Sequence, residues 1–156
     1  MRQYFAARAQ GMRRTAYLVV RDWHTAEDMV QATFVQLYTH WPRIRQETVD
    51  AFARRTLVNQ CLSHLRKNKR ERLTDAPPEH AGAEPEGGHC LDVARTLAVL
   101  APQQRAIVAL RFLDDLSVTE TAAILGVAEG TVKSQTSRAL ATLRHHVPDL
   151  HLEETR

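Results

Sequence analysis

The sequence predicts an all-α fold of two small helical domains joined by a flexible acidic linker. Three observations carry this. Apolar residues recur at spacings of three and four on both sides of the chain's middle, with no convincing strand alternation. That middle, LTDAPPEHAGAEPEGGHCLD over residues 73–92, is rich in Pro and Gly and holds almost nothing to bury. Near the end, SVTETAAILGVAEGTVKSQTSRALATLR reads as two capped helices around a glycine corner. The expected boundaries are a first domain at 1–70, a linker at 71–92, a second domain at 93–147 and a polar tail at 148–156.

In the first half, Phe5, Ala9, Met12, Ala16 and Val20 form one apolar stripe. A second helix is expected to open at Thr25, whose hydroxyl suits a cap, with Asp28 favouring the positive end of the helix dipole. Val30, Phe34, Leu37 and Trp41 supply its buried face, and Pro42 follows it. A third helix runs from about Asp50 into Lys69, burying Phe52, Leu57, Cys61 and Leu65. In the second half, Val93, Leu97 and Leu100 mark a short amphipathic helix. Pro102 opens another, because a first-turn proline loses no needed hydrogen bond.

Ser117 and Glu120 then match a capping box, Gly126 stops that helix, Val127 plugs the corner, and a last helix begins near Glu129. On that last helix Val132, Thr136, Ala139, Leu140 and Leu143 suffice for packing. Lys133, Ser134, Ser137 and Arg138 remain on the other face, directed outward. Such a set suits a recognition helix in a major groove, where Lys or Arg reads guanine acceptors and Ser bonds base edges or phosphates.

Composition narrows the function classes. The chain has 156 residues, 44% of them apolar, and no apolar run long enough for a bilayer span. Its opening MRQYFAARAQGMRR lacks the apolar core of a secretory signal, so a cytoplasmic location is expected. Cys61 and Cys90 stand far apart and in no CxxC pattern, which indicates neither a disulfide framework nor a zinc site. No Gly-rich phosphate loop, nucleophile elbow or carboxylate pair points to an enzyme or a cofactor. His89 beside Cys90, and His145 beside His146, are adjacent pairs whose side chains diverge, so no metal is expected. The net charge of +3 is modest, but RKNKRER at 66–72 concentrates it against the acidic middle.

At these residues the chain resembles an extracytoplasmic-function (ECF) sigma factor, a member of the sigma-70 family that serves bacterial RNA polymerase. LAPQQRAIVALRFLDDLSVTETAAILGVAEGTVKSQTSRALATLR is similar to the family's region four. AEDMVQATFVQLYTHW is similar to the polymerase-binding helix of region two, and TLVNQCLSHLRKNKR to its promoter-melting segment. The resemblance implies promoter recognition, promoter opening and transcription initiation. Its partners would be promoter DNA and core polymerase, through the β′ clamp helices and the β flap, with an anti-sigma factor left open.

By the same resemblance, Asp28 and Gln31 contact polymerase, although Ala32 stands where many relatives carry an acid. Asn59 helps to hold an unstacked minus-ten base, and Arg66, Lys67, Lys69, Arg70 and Arg72 neutralise phosphates nearby. RQETVD, before Phe52, sets which base is accepted. Lys133, Ser134, Ser137 and Arg138 read the minus-thirty-five element, with Gly130 and Thr131 near phosphates. Ala128 replaces the common capping residue, Gln135 and Ala141 leave this helix less basic than in many relatives, and the acidic linker would thread the RNA-exit path. The alternative is a helix-turn-helix regulator acting without core polymerase, which leaves AEDMVQATFVQLY unexplained.

Overall fold

The computed structural model describes residues 1–72 and 88–147, and every regular element among the described residues is helical. The expected linker falls largely outside the described residues, as do the tail and the side chains of His89 and Cys90. Seven α-helices follow in order: α1 (Arg2–Val20), α2 (Trp23–His40), α3 (Val49–Arg72), α4 (Gly88–Leu97), α5 (Pro102–Val108), α6 (Val118–Leu125) and α7 (Glu129–His146). Two 3₁₀ turns, Trp41–Arg43 and Gln46–Thr48, carry the chain from α2 to α3.

The first three helices pack as a bundle because each presents an apolar stripe. Met12, Ala16, Val19 and Val20 of α1 meet Ala26, Val30 and Leu37 of α2 and Ala53, Leu57 and Cys61 of α3. Aromatic rings close both ends: Tyr17 stacks on Trp23 with centroids 4.0 Å apart, and Phe5 on Phe34 at 4.3 Å.

One capping expectation is corrected. Helix α2 starts at Trp23 with Asp22 as its cap, and the Asp22 carboxylate accepts from the Thr25 amide at 2.9 Å and the Thr25 hydroxyl at 2.6 Å. Asp22 holds the extended backbone position just before the helix, where its anion also meets the positive end of the helix dipole, whereas Thr25 lies inside the first turn and its hydroxyl donates to that carboxylate. Asp28 therefore lies beyond the first turn, exposed, 3.5 Å from His24.

The two halves pack against each other in one apolar cluster. Ala94, Leu97, Leu100, Leu110, Leu140 and Leu143 share it with Ala16, Val19, Leu57 and Cys61. At its centre lies Arg105, only 6% exposed. Its guanidinium donates from Nε and Nη2 to the Val19 carbonyl of the first half, at 3.1 and 2.7 Å. From Nη1 it donates to Leu100 of its own half at 2.7 Å. Val19 lies at the end of α1, where carbonyls lack intrahelical donors, so Arg105 satisfies an acceptor that would otherwise be buried unmet. Burial, and secondarily the neighbouring charge of Arg21, pushes its pKa down to about 10.

A second polar link comes from a widened turn. After α5 the chain makes one π-helical turn, Ala109–Leu113, closed by the Asp114 amide on the Ala109 carbonyl at 3.0 Å. The turn delivers Asp114 to the first half, where Thr15 donates to it at 3.5 Å and Arg54 stands 3.7 Å away. Burial raises the pKa of this carboxyl, against the opposing pull of Arg54 and the Thr15 hydrogen bond.

Because the Asp114 pKa is raised on folding, its contribution to stability is fully present below the unfolded carboxylate pKa and is lost as pH rises through the folded value. Asp114→Asn is therefore expected to raise the urea midpoint at pH 7, with the gain over the parent shrinking as pH falls through the carboxylate range. An unchanged or lower midpoint at pH 7 would show that the Arg54 pair outweighs the cost of burial.

Candidate nucleic-acid interface

The helix-turn-helix is built by a small core of its own. Val118 and Ala122 of α6 and Val132 of α7 bury against Ile107, with Leu125 and Val127 packed beside them. Ser117 caps α6 by accepting the Glu120 amide at 3.1 Å, while Glu120 accepts the Ser117 amide at 3.1 Å. Gly126 ends the helix at φ +67°, a left-handed backbone that glycine adopts without penalty, and Val127 fills the corner. These contacts fix the angle at which α7 leaves the body.

On α7 the burial pattern separates packing from presentation. Val132, Thr136, Ala139, Leu140 and Leu143 are buried, whereas Lys133, Ser134, Ser137 and Arg138 are exposed. The hydroxyl of Ser134 donates to the Thr131 carbonyl at 3.2 Å, which leaves its lone pairs facing outward. At the helix start Gly130 is exposed and a Cβ there would meet nothing within 4 Å, while Thr131 is half-buried.

Ala128 is the N-cap, with φ −70° and ψ 150° and no side-chain hydrogen bond. Gln135, by contrast, has a partner within the fold. It is half-buried and accepts from Gln104 at 3.1 Å, tying α7 to α5.

The first half presents a second polar feature. Asn59 is exposed on α3 and lines a groove of about 240 Å³ with Gln36 of α2 and Thr56, Gln60 and Ser63 of α3. Arg66 donates to Ser63 at 3.1 Å, which places a guanidinium at the groove's edge. Residues 59, 63, 66 and 70 follow spacings of four, three and four, so Arg70 continues the same face. Lys67 and Arg70 are both exposed. Lys69 does not join this set: it lines a different cleft with His64, Asn68 and Arg105, at the junction of the two halves.

A third surface runs along α2. Asp28 and Gln31 are exposed, and Val35 and Tyr38 extend their face, 62% and 68% exposed. Positions 28, 31, 35 and 38 repeat at three, four and three, the seam spacing of paired helices. Sequence reasoning missed Val35 and Tyr38 because apolar residues are normally assigned to the core. The available signal was that Val35 stands out of phase with Val30, Phe34 and Leu37 and that Tyr38 follows it at a spacing of three.

The described residues are helical, with a helix-turn-helix that exposes a polar outer face and a separate polar groove bordered by Arg66, which defines a helix-turn-helix protein. Comparison with known proteins makes the class specific. Residues 5–71 match the family "Sigma-70 region 2" and residues 90–143 match "Sigma-70, region 4". The RNA polymerase sigma-E factor of Streptomyces avermitilis is 34% identical over 97% of this chain and 87% of its own length. The ECF RNA polymerase sigma factor SigM of Mycobacterium tuberculosis is 33% identical over 90% of this chain and 74% of its own. Among solved structures, the sigma factor RpoE of Bartonella quintana, crystallised with the anti-sigma factor NepR, superposes with a TM-score of 0.82. It is 26% identical, covering 96% of this chain and 98% of that one.

The chain belongs to the sigma-70 family, as an RNA polymerase sigma factor of the ECF group. Its partners are accordingly RNA polymerase and promoter DNA.

Since the N-cap backbone at Ala128 already has the extended conformation that a capping hydroxyl needs, Ala128→Ser is expected to stabilise the protein by about 1 kcal/mol. Urea denaturation measures this, and a midpoint that does not rise would show that the first-turn amides of α7 are already satisfied.

Proposed function

We propose that this sigma factor selects and opens promoters through three faces and performs no bond chemistry itself. Lys133, Ser134, Ser137 and Arg138 enter the major groove of the minus-thirty-five element, where the lysine and arginine read base acceptors. The open helix start at Gly130 and Thr131 lets a phosphate approach closely. The observation that carries this reading is the clean division of α7 into a buried apolar face and an exposed polar one.

The groove beside Asn59 receives an unstacked minus-ten base. Its lining of amides and hydroxyls offers both donors and acceptors to a base edge, and Arg66, Lys67 and Arg70 neutralise the strand that carries it. These cations supply salt-dependent affinity, whereas Asn59 supplies selectivity. On α2, Asp28 and Gln31 flank Val35 and Tyr38, so the face combines a polar rim with an apolar centre and docks on the β′ clamp helices. The second half reaches the β flap. All of this takes place in the cytoplasm, where polymerase works.

The packed arrangement of the two halves is a resting state in this scheme. Elements named for positions ten and thirty-five lie roughly 25 base pairs apart, or about 85 Å of B-form duplex at ~3.4 Å per pair. A compact chain of this length is only about 40 Å across. The halves therefore separate on the polymerase, breaking the Arg105 and Asp114 contacts. An anti-sigma factor is a further partner, as RpoE is with NepR, and it would act by holding the packed form.

Transcription from a defined promoter by core polymerase is expected to start at a fixed site only when this chain is added, and start-site selection without it would defeat the proposal. Arg138→Ala should lower use of the cognate promoter by roughly 5- to 150-fold, the value of one good base contact, while leaving non-specific DNA binding nearly unchanged. Equal loss in both assays would reduce Arg138 to a phosphate contact. Tyr38→Ser should weaken binding to core polymerase by roughly tenfold without moving the urea midpoint, since the ring is exposed in the free protein.

A further inference from the structure

The junction of the two halves holds a cleft of about 410 Å³ that none of the three faces uses. Its polar lining includes Arg21 at the end of α1, Asp22, His64, Asn68 and Lys69 on α3, and Arg105 on α5. Three fixed cations thus face one carboxylate. The Asp22 carboxylate is engaged in capping α2, through Thr25.

Arg105 makes the imbalance costly. It is more than nine-tenths buried, and among the described residues it forms no ion pair. Its guanidinium spends three N–H donors on the carbonyls of Val19 and Leu100, and a guanidinium has five. A buried cation that meets only carbonyl dipoles, with Arg21 close enough to depress its pKa, gains strongly from an added anion. The cleft's volume lies within the range of about 300–1,000 Å³ usual for small-molecule sites and exceeds the needs of one oxyanion.

We propose that this cleft binds a small phosphate-bearing anion, held by Arg21, Lys69 and Arg105, with Asn68 and His64 supplying further hydrogen bonds. The planar fork of Arg105 suits two phosphoryl oxygens, and Lys69 supplies a mobile point charge from the opposite wall. Because α1 and α3 come from one half and α5 from the other, the anion bridges them. It binds the packed form and is released when the halves part.

The test uses the full-length chain and sodium pyrophosphate, with sodium chloride at matched ionic strength as the control. Pyrophosphate is expected to raise the melting temperature of the parent in a saturable way, which chloride does not. Arg21→Asn and Lys69→Gln should each weaken the apparent affinity at least tenfold. Asparagine is chosen because Arg21 sits at φ +66°, which asparagine tolerates. Arg21 has no part in promoter binding as proposed above, so its variant separates failure of this site from failure of that reading.

A short single-stranded oligonucleotide serves as the second arm. If the variants lose binding to the oligonucleotide while pyrophosphate has no saturable effect, the cleft is a nucleic-acid contact and the proposal falls. It also falls if the pyrophosphate effect survives both substitutions.

Discussion

The arrangement of this protein depends on one buried cation. Arg105 lies where the two halves meet, and its guanidinium joins the carbonyl at the end of α1 to the carbonyl that precedes α5. A charge this deeply enclosed is tolerable only while those acceptors stay in place, and the same acceptors would be left unmet without it. The apolar cluster around it gives adhesion without direction. Arg105 gives direction, because two donors converge on a single oxygen of Val19. Asp114 adds a weaker constraint of opposite sign, placed at the interface by the π turn.

A contact of this kind is strong in place and easily lost as a unit. Once the Val19 carbonyl moves away, the guanidinium is better solvated by water than by a single half, so partial opening gains little stability and full separation relieves the charge. Separation of the two halves, as proposed above, would break such an interface as a unit. The basic cleft beside Arg105 belongs to the same electrostatic problem, since an excess of cations at a closable junction makes closure sensitive to anions.

The helix-turn-helix was legible from sequence because its constraint is local. Capping box, glycine corner and apolar phase all lie within the stretch from Ser117 to Leu143, and each found its expected place. Other assignments were less secure, because they depend on neighbours remote in sequence. Thr25 had the chemistry of a cap, but α2 starts two residues earlier, so Asp22 is the cap and the Thr25 amide and hydroxyl are its donors. Gln135 reads from the sequence only as a residue that leaves α7 less basic, whereas the fold pairs it with Gln104 of α5. Lys69 reads as one member of a basic run, yet packing of the second half beside α3 makes it part of the cleft that Arg105 lines.

The sequence alone determined that the chain is helical, that it carries a helix-turn-helix with a polar outer face, and that Asn59 stands next to a basic segment. Those properties follow from periodicity, capping and glycine, which act over a few residues. Only the tertiary structure decided that the halves share a core and that Arg105 is buried between them. Each of these is a matter of which apolar or charged group finds a partner across the fold, and pairing at that distance leaves no imprint on local pattern.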